Sequence, residues 1–186
     1  MTELSDYSGE FNPEAKYEDF SKEAQASLLT EYARLEKALA GWWYDTVKER
    51  HGEQEVFECA REVADRGIPY RQQRVMKALN IQGNDIATCF KAIQMDQGAS
   101  PDMYDNEWEF KNPNHGILTL NLCPTLEFYE RHGGVVTMEN VCNVCSVSFP
   151  KIAKFFNPDM KVKTLKLPPR MSEDEICCQW ELKIEE

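Results

Sequence analysis

Apolar residues in the first hundred positions recur mainly three and four residues apart, which is the period of an amphipathic α-helix. The longest run of this pattern lies between Pro13 and Arg50 and consists of Phe20, Leu28, Leu29, Tyr32, Leu35, Leu39, Trp42 and Trp43. Three further helices are predicted over about residues 53–66, where Gly67 and Pro69 end the pattern, over residues 70–79 and over residues 84–95. The N-terminal half is therefore predicted to be helical.

After Pro101 the period falls to two, which is the signature of half-buried strands. Strands are predicted at residues 106–110, 115–122, 162–167 and 176–184, and helices at residues 124–131, ended by Gly133-Gly134, and at residues 146–156. The last two strands are joined by only a short segment, so they are expected to pair antiparallel.

This order of elements predicts an α+β fold, with a helical N-terminal half followed by a small antiparallel sheet with inserted helices. The length of 186 residues suits a single domain. Residues 1–13 are expected to form a polar tail and residues 14–186 the domain, helical over 14–100 and cysteine-rich and sheet-containing over 101–186.

Charge narrows the choice of partners. Thirty-two acidic side chains against 21 basic ones give a net charge of -11, which repels phosphate backbones and anionic lipids. We therefore expect no nucleic acid and no membrane among the partners, and a small-molecule ligand, with a homo-oligomer left open. The N-terminus lacks a basic segment followed by an apolar run, so a cytoplasmic location with reduced thiols is expected.

Five of the seven cysteines lie between residues 123 and 178: Cys123, Cys142, Cys145, Cys177 and Cys178. Thiolate is soft and strongly nucleophilic, so thiols contributed by three distant segments indicate a site for metal, redox or covalent chemistry. The simpler alternative is that each thiol is a small buried hydrophobic group.

Cys123 lies where a predicted strand ends and a helix begins, and backbone N–H groups at such a position lower the pKa of a thiol. It is the candidate nucleophile. Cys142 and Cys145 form a C-x-x-C placed just before a predicted helix, so they could bind one ion or form a redox dithiol. Strand alternation puts Cys178 on the inward face and Cys177 on the outward face.

Together, Cys123, Cys142, Cys145 and Cys178 would supply four sulfur ligands for zinc or iron, and the Cys-Pro pair at Cys123 would also suit an axial haem thiolate. The C-x-x-C stands alone, without the second knuckle that structural zinc sites ordinarily have.

Two histidines and one aromatic cluster complete the set of candidate residues. His115 and His132 could each act as a base for Cys123. Trp42, Trp43 and Tyr44 could wall a pocket for a flat ligand, or belong to the core. Nucleotide-binding loops and common hydrolase motifs are missing from the sequence.

Over residues 30–184 the chain resembles the L-2-amino-thiazoline-4-carboxylic acid hydrolase family and its relatives from anaerobes. The resemblance is carried by Trp42-Trp43, Arg50-His51-Gly52, Gly83-Asn84-Asp85, Leu122-Cys123-Pro124, Asn157-Pro158, Leu167-Pro168-Pro169 and Cys178-Gln179-Trp180-Glu181. It implies a fold akin to vinyl-reductase and haem-nitric-oxide-type ligand-binding domains. It also implies that Cys123, one of Cys142 or Cys145, and Cys178 carry the family's cysteines, with extra thiols beside two of them.

Three hypotheses follow. In the first, the protein is a hydrolase or lyase that opens a small thiazoline-like ring containing sulfur or nitrogen, using the cysteine-rich site. In the second, it is a non-enzymatic module that binds a small ligand or a thiolate-bound metal (zinc, iron–sulfur or haem). In the third, it is a scaffold protein with buried cysteines. Bound metal, a chromophore and selective alkylation of Cys123 discriminate among them.

Overall fold

A computed structural model of the protein describes residues 3–132 and 135–185, with side chains for all of these except 135–141. In that part of the chain the elements are α1 (Lys22–His51), α2 (Glu53–Leu79), α3 (Ile86–Gln94), β1 (Asp105–Asn112), β2 (His115–Leu122), α4 (Pro124–His132), α5 (Val135–Phe156), β3 (Met160–Lys166) and β4 (Cys178–Ile184). The predicted α+β fold with a helical N-terminal half is confirmed.

The four strands form one antiparallel sheet in the order β1-β2-β4-β3. Leu118 lies opposite Trp108 on one side and Trp180 on the other, so the centre of the sheet is large and apolar. The rings of Phe149 in α5 and Trp180 stack at 4.6 Å. The core therefore lies between this face of the sheet and the helices α3 and α5.

The second and third predicted helices are one continuous helix, α2, which passes through Gly67 and Pro69. The prediction that these residues end a helix was wrong. Proline removes one intrahelical hydrogen bond, but Ile68 and Gln72 on either side of it are buried. Packing of this face against the rest of the molecule holds the helix across the break.

The helix predicted to begin at Ser146 begins at Val135 instead, and the C-x-x-C lies inside it. Cys142 and Cys145 are thus three residues apart on one face of α5, not in a loop before the helix. Only Asn143 and Val144 separate the two cysteines, and neither residue ends a helix as glycine or proline would. The predicted break at Gly133-Gly134 lies outside the described residues.

The first helix meets the rest of the protein with an unexpected face. Its buried residues are Ala33 and Tyr44, and Thr30 on the same face hydrogen-bonds to Asp102 at 2.8 Å. The apolar residues that predicted the helix point away, and Trp42 exposes 66% of its surface. The interpretation of Trp42 as a core residue was wrong.

A buried polar group fixes α1 and α2 to the segment after α3. Asp96 accepts hydrogen bonds from Gln72 Nε2 at 2.7 Å and from the Gly98 amide at 2.7 Å, and Arg71 lies 3.6 Å away. Arg71 also contacts Glu36 of α1 at 3.5 Å. Because buried charge is costly when unpaired, this network specifies how the two long helices meet. No helix in residues 3–132 or 135–185 has the length and apolarity needed to cross a membrane.

The close approach of β2 to α3 generates the first testable prediction. A Cβ atom at Gly116 would lie 2.7 Å from Ile86 Cγ2 and 2.8 Å from Phe90 Cε2, and both neighbours are buried. Gly116→Ala is therefore expected to lower the free energy of unfolding by about 1–3 kcal/mol through overpacking, measured by urea denaturation. Gly67→Ala is the matched control, because nothing lies within 4 Å of that position in α2. The control should be stabilised by about 1 kcal/mol, and equal effects at both positions would contradict the packing described here.

Candidate functional site

Four thiols, from α5 and from the chain around the start of β4, lie near Cys123. We call Cys123, Cys142, Cys145, Cys177 and Cys178 the cysteine cluster. The charge of Cys123 raises the pKa of each of the other four thiols, which places all of them within electrostatic reach of it. The sequence predicted this convergence for Cys123, Cys142, Cys145 and Cys178, and the structure adds Cys177.

Cys123 lies at the junction between β2 and α4. Its carbonyl accepts the Glu127 amide at 3.0 Å, which makes it the residue that caps the first turn of α4. Its side chain packs against an apolar cluster formed by Leu126, Tyr129 and Cys177, which Cys142 also contacts. The strand end and helix start predicted at Cys123 are confirmed.

Cys177 is almost fully buried, with 1% of its surface exposed. The prediction that it faces outward was wrong, because β4 begins only at Cys178 and the strand alternation does not extend to Cys177. Its amide donates to the Leu120 carbonyl at 2.7 Å, and its Sγ lies 3.3 Å from the Asn121 carbonyl oxygen. Burial raises the pKa of this thiol.

Arg170 lies at the edge of the cysteine cluster, next to Cys177. Its Nη1 lies 3.9 Å from Cys177 Sγ, and its guanidinium binds both carboxylate oxygens of Glu130 at 2.9 and 2.8 Å. The hydrogen bonds to Glu130 raise the pKa of Arg170. Since the pair is bidentate, it fixes the segment before β4 against α4.

Cys178 shares the inward face of β4 with Trp180 and Leu182, as predicted. Trp180 Nε1 donates to its sulfur at 3.2 Å. Burial, the largest cause, raises the pKa of this thiol far above its ordinary value.

The two thiols of α5 differ in access to solvent. Burial raises the pKa of Cys142 to about 12 and that of Cys145 to about 11. Cys145 is nevertheless exposed, whereas Cys142 is half-buried. Cys145 therefore marks where a small molecule can reach the cluster.

A lysine and a tyrosine complete the site. Lys37 lies on the inward face of α1, with Nζ 5.2 Å from the ring centroid of the buried Tyr104, and its ammonium interacts electrostatically with the hydroxyl of that tyrosine. Thr125 also acts on the Tyr104 hydroxyl and lowers its pKa. Sequence reasoning missed both residues. The available signal was the spacing of Ala33, Lys37 and Tyr44 on one face of the helix, opposite the apolar stripe.

Electrostatics link this pair to the thiols. Burial lowers the pKa of Lys37, but Tyr104, Cys123 and Cys145 outweigh burial, so the net pKa is raised and the amine stays protonated. Burial raises the pKa of Tyr104. The thiols raise one another's pKa, whereas Lys37 lowers that of Cys145. The site therefore disfavours a second thiolate beside a first, and the ammonium stabilises negative charge at Cys145. This arrangement can supply a nucleophile, an acid and an anion-binding cation.

The two candidate histidines lie elsewhere. His115 is at the opposite end of β2 from Cys123, about 25 Å along the strand, and its Nε2 contacts Glu181 at 2.9 Å. His132 is at the far end of α4, about 13 Å along the helix from Cys123. Its Nδ1 lies 3.1 Å from the Phe128 carbonyl oxygen. Neither histidine is positioned as a base for Cys123.

The aromatic candidates of α1 do not form one wall. Trp42 is exposed, and Trp43 borders a shallow surface depression with Cys59 and Val63. Tyr44 points the opposite way and packs edge-on against Tyr129 at 6.4 Å. Only Tyr44 therefore adjoins the cysteine cluster.

A thiolate metal site needs three or more ligand side chains close to one point. Among the residues whose side chains the structure describes, no three His, Cys, Asp or Glu side chains are arranged to hold a metal ion. The zinc or iron site stays a prediction.

The chain belongs to a family of unknown function, DUF6125, whose model matches residues 18–184. The match spans every helix and strand described above. Searches of curated proteins and of solved structures found no match.

The thiol of Cys145 generates the second prediction. With a pKa of about 11, its thiolate fraction, and hence its rate of alkylation, should rise about tenfold per pH unit from pH 7 to pH 10, whereas an ordinary thiol levels off near pH 8.5. Peptide mapping by mass spectrometry after timed iodoacetamide treatment measures this rate. Lys37→Met should slow alkylation of Cys145 by about tenfold for each unit by which the pKa rises.

Lys22→Met is the matched control, because Lys22 lies exposed at the start of the same helix. It should leave the pH profile unchanged. A Cys145 profile that levels off near pH 8.5 would contradict the raised pKa of Cys145, and equal profiles for the two lysine variants would contradict the role of Lys37.

Proposed function

We propose that the cysteine cluster is the reaction centre of a hydrolase or lyase that opens a small ring containing sulfur or nitrogen, with Cys123 as the nucleophile. The observation that carries the proposal is that four thiols lie within electrostatic reach of Cys123, beside the half-buried Lys37 and the buried Tyr104. A purely structural set of buried cysteines would not require a protonated lysine among them, since burying that charge is costly.

The resemblance to the thiazoline carboxylate hydrolases supports a substrate that carries a carboxylate and a C=N bond. The ammonium of Lys37 would attract the carboxylate or protonate the ring nitrogen. The solvent-exposed Cys145 would be the point at which the substrate reaches the cluster, and Tyr44 and Tyr129 would contact its apolar part.

In the proposed reaction the Cys123 thiolate adds to the ring carbon of the C=N bond, and the nitrogen takes a proton from Lys37 through the Tyr104 hydroxyl. The ring carbon–sulfur bond then breaks, and the departing sulfur takes the proton on nitrogen. Water adds to the carbon bound to Cys123. Cys123 leaves as a thiolate, and the proton released on forming the carbonyl returns to Lys37. The sum is the addition of one water to the ring.

Thiol substitution is the direct test of the proposal. With 2-amino-thiazoline-4-carboxylate as substrate and product formation followed by liquid chromatography and mass spectrometry, Cys123→Ala is expected to abolish turnover. Lys37→Met is expected to lower kcat by about 10²–10⁴-fold, the range for loss of a general acid. Tyr104→Phe should also lower kcat, by less, because Lys37 itself remains.

Cys59→Ser serves as the matched control, because Cys59 lies on α2 beside Trp43 and apart from the cysteine cluster. Its turnover should equal that of the wild type. Full activity of Cys123→Ala would overturn the nucleophile. A wild-type protein that opens no thiazoline carboxylate would overturn the substrate class.

Elemental analysis of protein purified without oxygen distinguishes the second candidate function, a thiolate metal module. Near-stoichiometric zinc or iron that is lost in both Cys123→Ala and Cys178→Ala would replace the nucleophile proposal with this one, because thiolates then serve as ligands.

A further inference from the structure

The outward face of α1 carries a second pattern. Residues Leu28, Tyr32, Leu35, Leu39 and Trp42 are spaced alternately four and three apart, which is the heptad spacing of helices that pack side by side. All five are exposed, with between 37 and 66% of their surface accessible. We call them the α1 stripe. The face opposite the stripe, with Ala33, Lys37 and Tyr44, is the one that meets the rest of the protein.

The stripe is larger than a monomer ordinarily exposes. A large aromatic side chain alone can cover about 150–250 Å², so five half-exposed residues amount to several hundred Å². Trp43 and Val63 extend the same apolar surface across to α2. Patches above a few hundred Å² mark interaction sites, and about 800 Å² per partner is the size of a standard stable interface.

Electrostatic repulsion limits which proteins can pack against the α1 stripe. A second molecule of the same net charge, -11, is repelled by most of the surface. The middle of α1 is an exception, because residues 38–44 (ALAGWWY) contain no charged side chain. A copy of the chain can therefore meet the stripe there without like charges facing each other. The heptad spacing requires a partner helix with the same spacing, and α1 of a second copy provides it.

We propose that the α1 stripe is the interface of a homodimer in which the α1 helices of two copies pack antiparallel about a twofold axis. An axis that passes α1 midway between Leu35 and Leu39 puts Leu35 of each copy against Leu39 of the other. It also puts Tyr32 of each copy against Trp42 of the other. The antiparallel direction sets the positive end of each helix dipole beside the negative end of the other.

The oligomeric state of the full chain is the first test. Sedimentation velocity from about 1 to 100 μM should give a dimer for the wild type, in the affinity range of interfaces of this size. The double variant Leu35→Gln/Leu39→Gln should be monomeric or show a dimer dissociation constant raised at least tenfold. Its helical circular dichroism should be unchanged, because both side chains are exposed.

Leu79→Gln is the matched control, since Leu79 is an equally exposed leucine at the end of α2 and outside the stripe. It should sediment as the wild type does. A wild type that is monomeric at 100 μM, or a dimer that persists in the double variant, would overturn the proposal.

Cross-linking tests the direction of the helices. Lys22 and Lys48 are 26 residues apart on α1, about 39 Å, which exceeds the reach of a short amine-reactive cross-linker both within one copy and between parallel copies. In the antiparallel pair, Lys22 of one copy lies about 6 Å along the axis from Lys48 of the other. A Lys22–Lys48 link found by mass spectrometry in the dimer band, and missing from the monomer band, is the expected result. A dimer band without that link would overturn the antiparallel arrangement.

Discussion

A primary ammonium inside a protein loses hydration worth several kcal/mol unless other polar groups replace the water. Lys37 meets this requirement through the Tyr104 hydroxyl and the thiols of Cys123 and Cys145. Thirty residues of α1 are thereby oriented, because the helix must turn Lys37 toward these groups. The same rotation brings Tyr44 onto Tyr129 and leaves the apolar stripe on the outside. The position of the helix, the composition of the site and the exposed surface thus depend on one half-buried charge, that of Lys37.

The antiparallel sheet holds the thiols near Lys37 in fixed positions. Cys123 follows β2 directly, and Cys177 and Cys178 enter β4, which is paired with β2. The Cys177 amide bond to the Leu120 carbonyl continues this pairing beyond the strand. Cys142 and Cys145 arrive from α5, which packs on the sheet through Phe149 and Trp180. Because four of the five thiols are held by a sheet or by one helix face, their mutual distances are set by backbone hydrogen bonding and by core packing.

Local pattern was sufficient for some elements and insufficient for others. The alternation in β2 predicted its bounds, and the change of period after Pro101 predicted the fold class. The rule that apolar residues face the core was wrong for Trp42. The helix α1 instead turns its partly polar face, which carries Lys37 and Tyr44, toward the interior. The spacing of Lys37 with Ala33 and Tyr44 was a weak signal and Tyr104 left none, since their placement depends on contacts between residues 67 positions apart in sequence. The predicted strand included Cys177, whereas β4 begins at Cys178. Extending the alternation past the end of the strand assigned the Cys177 side chain to the wrong face.

The raised pKa values of the thiols in the cysteine cluster affect how readily these thiols are oxidised in air. Peroxide and disulfides react with thiolate, and protonated thiols are oxidised slowly. At neutral pH, Cys142 and Cys145, with pKa values of about 12 and about 11, are almost wholly protonated. Cys142 and Cys145 can therefore lie beside other thiols of the cluster without being readily drawn into disulfide bonds. The desolvation that makes these thiols poor nucleophiles preserves the reduced state on which any chemistry at Cys123 depends.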